Sequence, residues 1–240
     1  MRFILAISLL LFSLTSVGQL YQEPLLFGSV TPSTDTTWGT FDPDTKGTYI
    51  ALSNGNQTAT KTSATCSRAS YDVPIEDSLR YIECRAVVGS IGVTNTVKVF
   101  GFYAAPNAAR NSDCVVPTNA IFFVLLNTGM FVYDTTGVIA SWNIESMASG
   151  DTAMFAVDMV NGAIYMGWNG VWKRNSSLVY GVPTSGASKT GAIYTWTPDS
   201  REYYFTVGGA GLPEYYTANS GQQAWTYTIP TGYKGVYTVP

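Results

Sequence analysis

The sequence predicts an all-β protein, with two antiparallel sheets packed face to face as a jelly-roll-like sandwich. Three observations carry this expectation. Short apolar runs are interrupted by turn signals about every 8–12 residues. The run Leu79–Val88 alternates with period two, Ile82, Cys84, Ala86 and Val88 on one face and Tyr81, Glu83 and Arg85 on the other. The 240 residues include 16 Tyr, 11 Phe, 6 Trp and 23 Gly, a mixture that favours strands joined by tight turns.

The elements follow in chain order. Residues 1–18 read as a signal peptide or an apolar N-terminal arm. Arg2 gives a short positive region, Phe3 to Val17 is mostly apolar, and Ser16 and Gly18 are small residues at the spacing a signal peptidase needs. Residues 19–37 form a polar lead-in, and residues 38–240 form one sandwich-sized domain. "TYIALS" followed by Asn54-Gly55-Asn56 predicts a hairpin. "RASYDV", a turn at Pro74 to Ser78, "LRYIECRAVVG" and "TVKVFGFYAA" continue the strands. "AIFFVLL", "GMFVYD" and "GVIASW" follow, broken at Asn127-Thr128-Gly129 and Thr136-Gly137. A short turn near Ile144 to Ala148 is the one expected departure from β structure.

The central hairpin is "MFAVDMV" and "AIYMGW", joined at Asn161-Gly162. Phe155, Val157 and Met159 are expected to share a buried face with Ile164 and Met166 of the partner strand. The opposite faces carry Ala156, Asp158, Val160 and Tyr165. Asn-Gly between two strands predicts a tight type I′ turn. Asn169-Gly170 predicts a second Asn-Gly turn before Val171-Trp172.

Composition narrows the chemistry. The net charge is −3 with no basic run, which argues against phosphate-backbone binding. Charged residues make up 12% of the chain against about 25% in ordinary soluble domains. The chain has no histidine, which removes Ser–His and Cys–His nucleophile devices and argues against zinc. Asp42-Pro43-Asp44 offers two oxygens where calcium wants six to eight, so an exposed turn is the better reading. Glu76-Asp77 and Asp199 with Glu202 sit in turns and lack the strand spacing of a glycosidase carboxylate pair. No cofactor, metal or catalytic residue is therefore expected. Cys66, Cys84 and Cys114 leave at least one thiol outside any internal bridge. A Cys66–Cys84 bridge stays open beside a role as small buried hydrophobes. Asn56-Gln57-Thr58 and Asn175-Ser176-Ser177 are glycosylation sequons.

The C-terminal half carries further motifs in order: Gly150-Asp151, Asp158, "GWNGVW" from Gly167 to Trp172, "YGVPTSG", and "ANSGQQAWTYTIPTGYKGV". Upstream lie "FDPDTKGTYIALSNGN" and "YIECRAV", with Glu83 in the latter. Together they resemble the SPRY domain, a concanavalin-like sandwich, and are most similar in character to SPRY modules of bacteriophage and viral structural proteins. Trp168 stands where that family usually has Lys, and Ser220 where it has Phe.

The resemblance implies a non-enzymatic binding module that recognises a glycan or protein partner. With the leader, it implies secretion or display on a virion surface, as a viral structural or attachment protein, with homo-oligomers or virion assembly among its partners. A purely structural coat or decoration subunit is one alternative, and a glycan-cleaving enzyme on a concanavalin-like scaffold is another. Loops on a rigid β scaffold are the natural place for contacts. The candidate ligand residues are Tyr103, Asn107, Arg110, Asn111 and Asp113 in or beside the Ala104–Thr118 loop, and Trp168 and Tyr180 further on. Trp172, Trp196, Tyr215 and Tyr216 are further aromatic candidates, with Trp172 more at home in the core.

Overall fold

The computed structural model describes residues 37–76, 78–88, 97–104, 120–126, 129–134, 137–142, 148–173, 183, 186–210 and 214–238. Among these residues every regular element is a strand. In chain order they are β1 (Thr37–Trp38), β2 (Ile50–Ser53), β3 (Thr58–Lys61), β4 (Ser67–Ser70), β5 (Leu79–Val88) and β6 (Val97–Ala104). Then come β7 (Ala120–Leu126), β8 (Gly129–Asp134), β9 (Gly137–Trp142), β10 (Thr152–Asp158) and β11 (Ala163–Trp168). The chain closes with β12 (Val171–Lys173), β13 (Tyr194–Thr195), β14 (Tyr203–Ala210), β15 (Glu214–Asn219) and β16 (Tyr237–Thr238).

Two antiparallel sheets make the sandwich. One runs β12-β11-β10-β5-β15-β3-β2, with β13 also pairing β11; the other runs β4-β14-β6-β7-β8-β9. A short β1–β16 ribbon ties the two ends of the described domain, Trp38 opposite Tyr237. The β8–β9 pairing shifts register between Val132 and Tyr133. The jelly-roll-like sandwich expected from the sequence is the fold. The turn expected near Ile144 to Ala148 lies, apart from Ala148, outside the described residues, as do residues 1–36.

The core between the sheets centres on Phe155. Its ring lies 5.4 Å from that of Phe100, 5.7 Å from Phe102, 5.8 Å from Phe123 and 5.6 Å from Phe205. All five rings are essentially inaccessible. Burying such a side chain contributes about 1.5–3 kcal/mol. The hairpin register is the one the alternation requires, with Phe155 opposite Met166 and Val157 opposite Ile164.

Both faces of that hairpin are buried, where the alternation implied one. Met154, Ala156 and Tyr165 point away from the sandwich core into a second apolar layer with Tyr81, Trp172 and Tyr233. Trp225, Tyr227 and Ile229 pack against this layer from outside. The C-terminal segment therefore roofs the sheet. In the structure residues 220–236 form no strand.

The two Asn-Gly turns differ. Asn169 and Gly170 both have positive φ, 52° and 80°, and directly join Trp168 to its partner Val171, as a type I′ turn requires. At Asn161-Gly162 only Gly162 has positive φ, 70°, and the loop between the paired Asp158 and Ala163 holds four residues. The expected two-residue turn is thus corrected. The Asp158 carboxylate explains the longer loop, because Oδ1 accepts the Asn161 N–H and Oδ2 its Nδ2, both at 2.8 Å.

Candidate functional site

The motif residues that single out this chain hold its fold together. Glu83, on β5 and 2% exposed, accepts the Tyr227 N–H on Oε1 at 2.8 Å and the Thr226 N–H on Oε2 at 2.9 Å. Tyr81 Oη donates to the same Oε1 at 3.0 Å. Burial, reinforced by the Glu83 charge, pushes the Tyr81 phenol far above its ordinary value. Asp151 Oδ1 accepts from Asn169 Nδ2 and its Oδ2 from the Ala148 N–H, each at 2.6 Å. Asn169 Oδ1 in turn accepts the Thr152 N–H at 3.0 Å, which locks the second turn to the start of β10. Three acidic residues of the motifs are therefore engaged by donors of their own chain.

Ser220, which departs from the family pattern, is fully buried and donates from Oγ to the Gly39 carbonyl at 2.8 Å. It joins the end of β15 to the start of the domain. Trp168 stacks under Lys173, whose ammonium lies 4.4 Å from the ring centre.

A groove opens beside this framework. Its volume is about 410 Å³, and it is lined by Met154, Gly170, Trp172 and the run from Thr226 to Thr231. Along that run Tyr227 and Ile229 are partly buried on the second apolar layer, while Thr226 and Thr228 face solvent. One wall is the rigid Asn169-Gly170 turn. A Cβ on Gly170 would sit 3.0 Å from the Tyr227 ring, so the missing side chain lets that ring lie against the turn. The result is an apolar, aromatic floor with threonine hydroxyls around it and no Asp, Glu, Lys or Arg in its lining.

A second cleft, of about 400 Å³, lies where Ile75 bridges to Tyr203. Arg80 and Ser78 line one wall, Ser200 and Arg201 the other, with Glu76 and Glu202 alongside. Arg201 is paired with Asp199, donating from Nε to Oδ2 at 2.8 Å. That bond holds the Asp199 carboxyl below its ordinary value.

No family model matches the chain, and no curated protein matches it. Solved structures do. The SPRY domain of human HERC1 aligns with a TM-score of 0.53 and 16% identity, over 77% of this chain and 99% of that one. The TRIM65 PSpry domain aligns with a TM-score of 0.50 and 10% identity, over 75% of this chain and 89% of that one. This chain has the SPRY fold. At such identities the likeness speaks for the SPRY architecture, and the resemblance read from the motifs agrees with it at that level.

Within the SPRY fold the sequence-derived site residues fall in two groups. Tyr103 lies on β6 with no exposed surface, its ring under the Arg68 guanidinium, which is 5.1 Å from the ring centre. Trp168 lies on β11 and is 5% exposed. Neither ring presents a contact surface in this structure. Asn107, Arg110, Asn111, Asp113 and Tyr180 lie outside the described residues. Trp172 and Tyr216 are buried as core residues, and Tyr215 is exposed. Sequence reasoning missed the groove itself. Its signal was the alternation Thr226, Tyr227, Thr228, Ile229, which reads as a strand but serves as a roof.

Cys84 is a free thiol with no exposed surface, as a small buried hydrophobe should be. Cys66 is oxidised in a disulfide, so the Cys66–Cys84 bridge does not form. Asp42 makes a local turn, its Oδ1 accepting the Asp44 N–H at 2.8 Å and its Oδ2 the Thr45 hydroxyl at 2.7 Å.

Proposed function

We propose that the chain is a non-enzymatic recognition module, secreted or displayed on a virion surface, that holds a glycan or protein partner in the groove between the Asn169-Gly170 turn and residues 226–231. The observation that carries this is the groove's make-up: an aromatic floor, a hydroxyl rim and a rigid wall. Flat apolar surface with a few convergent polar groups is the ordinary character of a ligand site. The wall is fixed by the Asp151–Asn169 bond and the floor by Glu83, so little ordering is left for binding to impose.

The decisive measurement compares the wild type with Thr228→Arg on an array of glycans and on extracts of host-surface proteins. Thr228 is exposed, so the long side chain fills the groove while the fold stays intact. Retention by the wild type and its loss in the variant supports the reading. Equal retention by both moves the contact surface elsewhere. N-terminal sequencing of the natural protein addresses display and secretion: a chain starting near Gln19 is the expected result, and retention of Met1 overturns it.

A further inference from the structure

The chain holds three Asn-Gly pairs, Asn54-Gly55, Asn161-Gly162 and Asn169-Gly170. Such a pair carries its own reaction. The glycine nitrogen, once it gives its proton to hydroxide, bonds to the asparagine side-chain carbon Cγ. The Cγ–Nδ2 bond breaks, ammonia leaves, and a five-membered succinimide remains. Water opens that ring at either carbonyl and yields aspartate or isoaspartate. Water is the only co-reactant, and nothing is oxidised or reduced. Glycine suits the step because no Cβ crowds its nitrogen. The attack needs two freedoms: the asparagine side chain must swing onto the backbone, and the glycine nitrogen must be open.

The fold removes those freedoms at two of the pairs. Asn161 donates from Nδ2 to Asp158 Oδ2 at 2.8 Å, and the Gly162 N–H, the nucleophile, donates to the Asp158 carbonyl at 2.8 Å. Asn169 is exposed, so water reaches it, yet its side chain is held at both ends. Its Nδ2 donates to Asp151 Oδ1 at 2.6 Å, and its Oδ1 accepts the Thr152 N–H at 3.0 Å. The Tyr227 ring lies against Gly170.

Asn54-Gly55 is different. Both residues are exposed at the tip of the β2–β3 hairpin, between the paired Ser53 and Thr58. Asn54 has one side-chain bond, from Nδ2 to Thr58 Oγ1 at 2.9 Å. Among the described residues nothing engages its Oδ1 or the Gly55 N–H. Apart from its chain neighbours, no atom lies within 4 Å of a Cβ built on Gly55, so nothing packs on the tip.

We infer that Asn54 is a self-modification site, converted in the folded protein to aspartate and isoaspartate through a succinimide with Gly55. Each event adds one negative charge to a chain whose net charge is −3. Aspartate keeps the turn, since Asp-Gly suits the same positive-φ geometry. Isoaspartate puts an extra methylene into the backbone and loosens the tip. β2 ends its sheet, so the change stays local.

The test ages the native full-length protein in heavy-oxygen water at mildly alkaline pH and maps its peptides by mass spectrometry. Each event incorporates one labelled oxygen, and an isoaspartyl methyltransferase marks the isoaspartate fraction. Asn54 is expected to react at least about tenfold faster than Asn161 or Asn169, the equivalent of about 1.4 kcal/mol of barrier from the bonds those two must break. In denaturant the three rates should converge, because the protection is the fold's. Gly55→Ala should slow the reaction, and Asn54→Gln should remove the fast event. Equal native rates at the three pairs overturn the inference. So does an Asn54 that stays unlabelled in the native protein. An advantage for Asn54 that persists undiminished in denaturant overturns it as well, because local sequence rather than the fold would then choose the site. The wild-type time course decides the matter even if a variant fails to fold.

Discussion

Glu83 Oε1 accepts the backbone N–H of Tyr227 at 2.8 Å, across 144 positions of sequence. Together with the Thr226 N–H on Oε2, the contact gives the roof segment a fixed height above β5. A carboxylate serves here because two adjacent N–H groups need two acceptor oxygens where no strand ladder can reach them. Glu83→Ala should therefore lower stability by about 3 kcal/mol, since it leaves both donors and the Tyr81 hydroxyl short of an acceptor. Hydrogen exchange should show the Thr226 and Tyr227 amides exchanging faster than the amides of β10. Unchanged protection at those two amides would mean that the roof is held by its apolar contacts alone.

Gly162→Val should destabilise the hairpin for two reasons. The position has φ +70°, which β-branched residues avoid, and a Cβ there would collide with the Trp196 carbonyl oxygen. The expected loss is about 2 kcal/mol or more. Gly55 provides the contrast, with φ +60° and no atom within 4 Å of an added Cβ. Gly55→Ala should lower Tm by clearly less than Gly162→Val does. Equal effects at the two glycines would show that backbone conformation alone matters and that the Trp196 contact yields freely.

Much of the architecture was legible because it is local. Ile82, Cys84 and Ala86 alternate with Tyr81, Glu83 and Arg85, and the turn residues at Asn54-Gly55 and Asn169-Gly170 set positive φ by themselves. The second apolar layer also had a signal: "AMFAV" and "AIYM" are apolar at every position, the mark of a strand covered on both sides. That signal could not say what does the covering. Residues 225–229 meet β5 and β10 through contacts of long sequence separation, and the acceptor that organises them, Glu83, looks in sequence like an exposed strand residue. The Arg80 cleft was invisible for the same reason. Nothing local reveals that Ile75, Ser78 and Arg80 will face Ser200 and Arg201.

Cys84 should be inert in the folded protein. It is fully buried, and burial pushes its thiol far above the ordinary range, so thiolate, the reactive form, is scarce. An alkylating reagent at neutral pH should label Cys84 only after denaturant unfolds the chain, with labelling tracking the loss of aromatic circular dichroism. Prompt modification of native protein would mean that β5 opens locally, since its neighbours β10 and β15 leave no path to the sulfur.

Stability should be level around neutrality and fail under alkali. With no histidine, no ordinary side chain titrates between about pH 6 and 8. Above that range the buried phenols take over. Burial raises the pKa of Tyr71, Tyr81, Tyr216 and Tyr233, and it pushes Tyr194, beside the Asp134 carboxylate, up to about 12. Each folded value exceeds the unfolded value of about 10. The protonated form is the one the fold holds, so the stability these groups lend is complete below pH 10. It is lost as pH rises through their folded values, because the unfolded chain releases protons that the folded chain keeps. Cys84 acts in the same sense from about pH 9. Lys61, whose ammonium burial holds below its ordinary value with Glu214 opposing, works the other way, one group against several. Calorimetry should give a flat Tm from about pH 6 to 9 and a steep fall beyond pH 10. Tyrosinate absorbance from the buried set should appear in one cooperative step with unfolding. A single smooth titration of all tyrosines near pH 10, with the fold intact, would show that the phenols of the two cores are open to water.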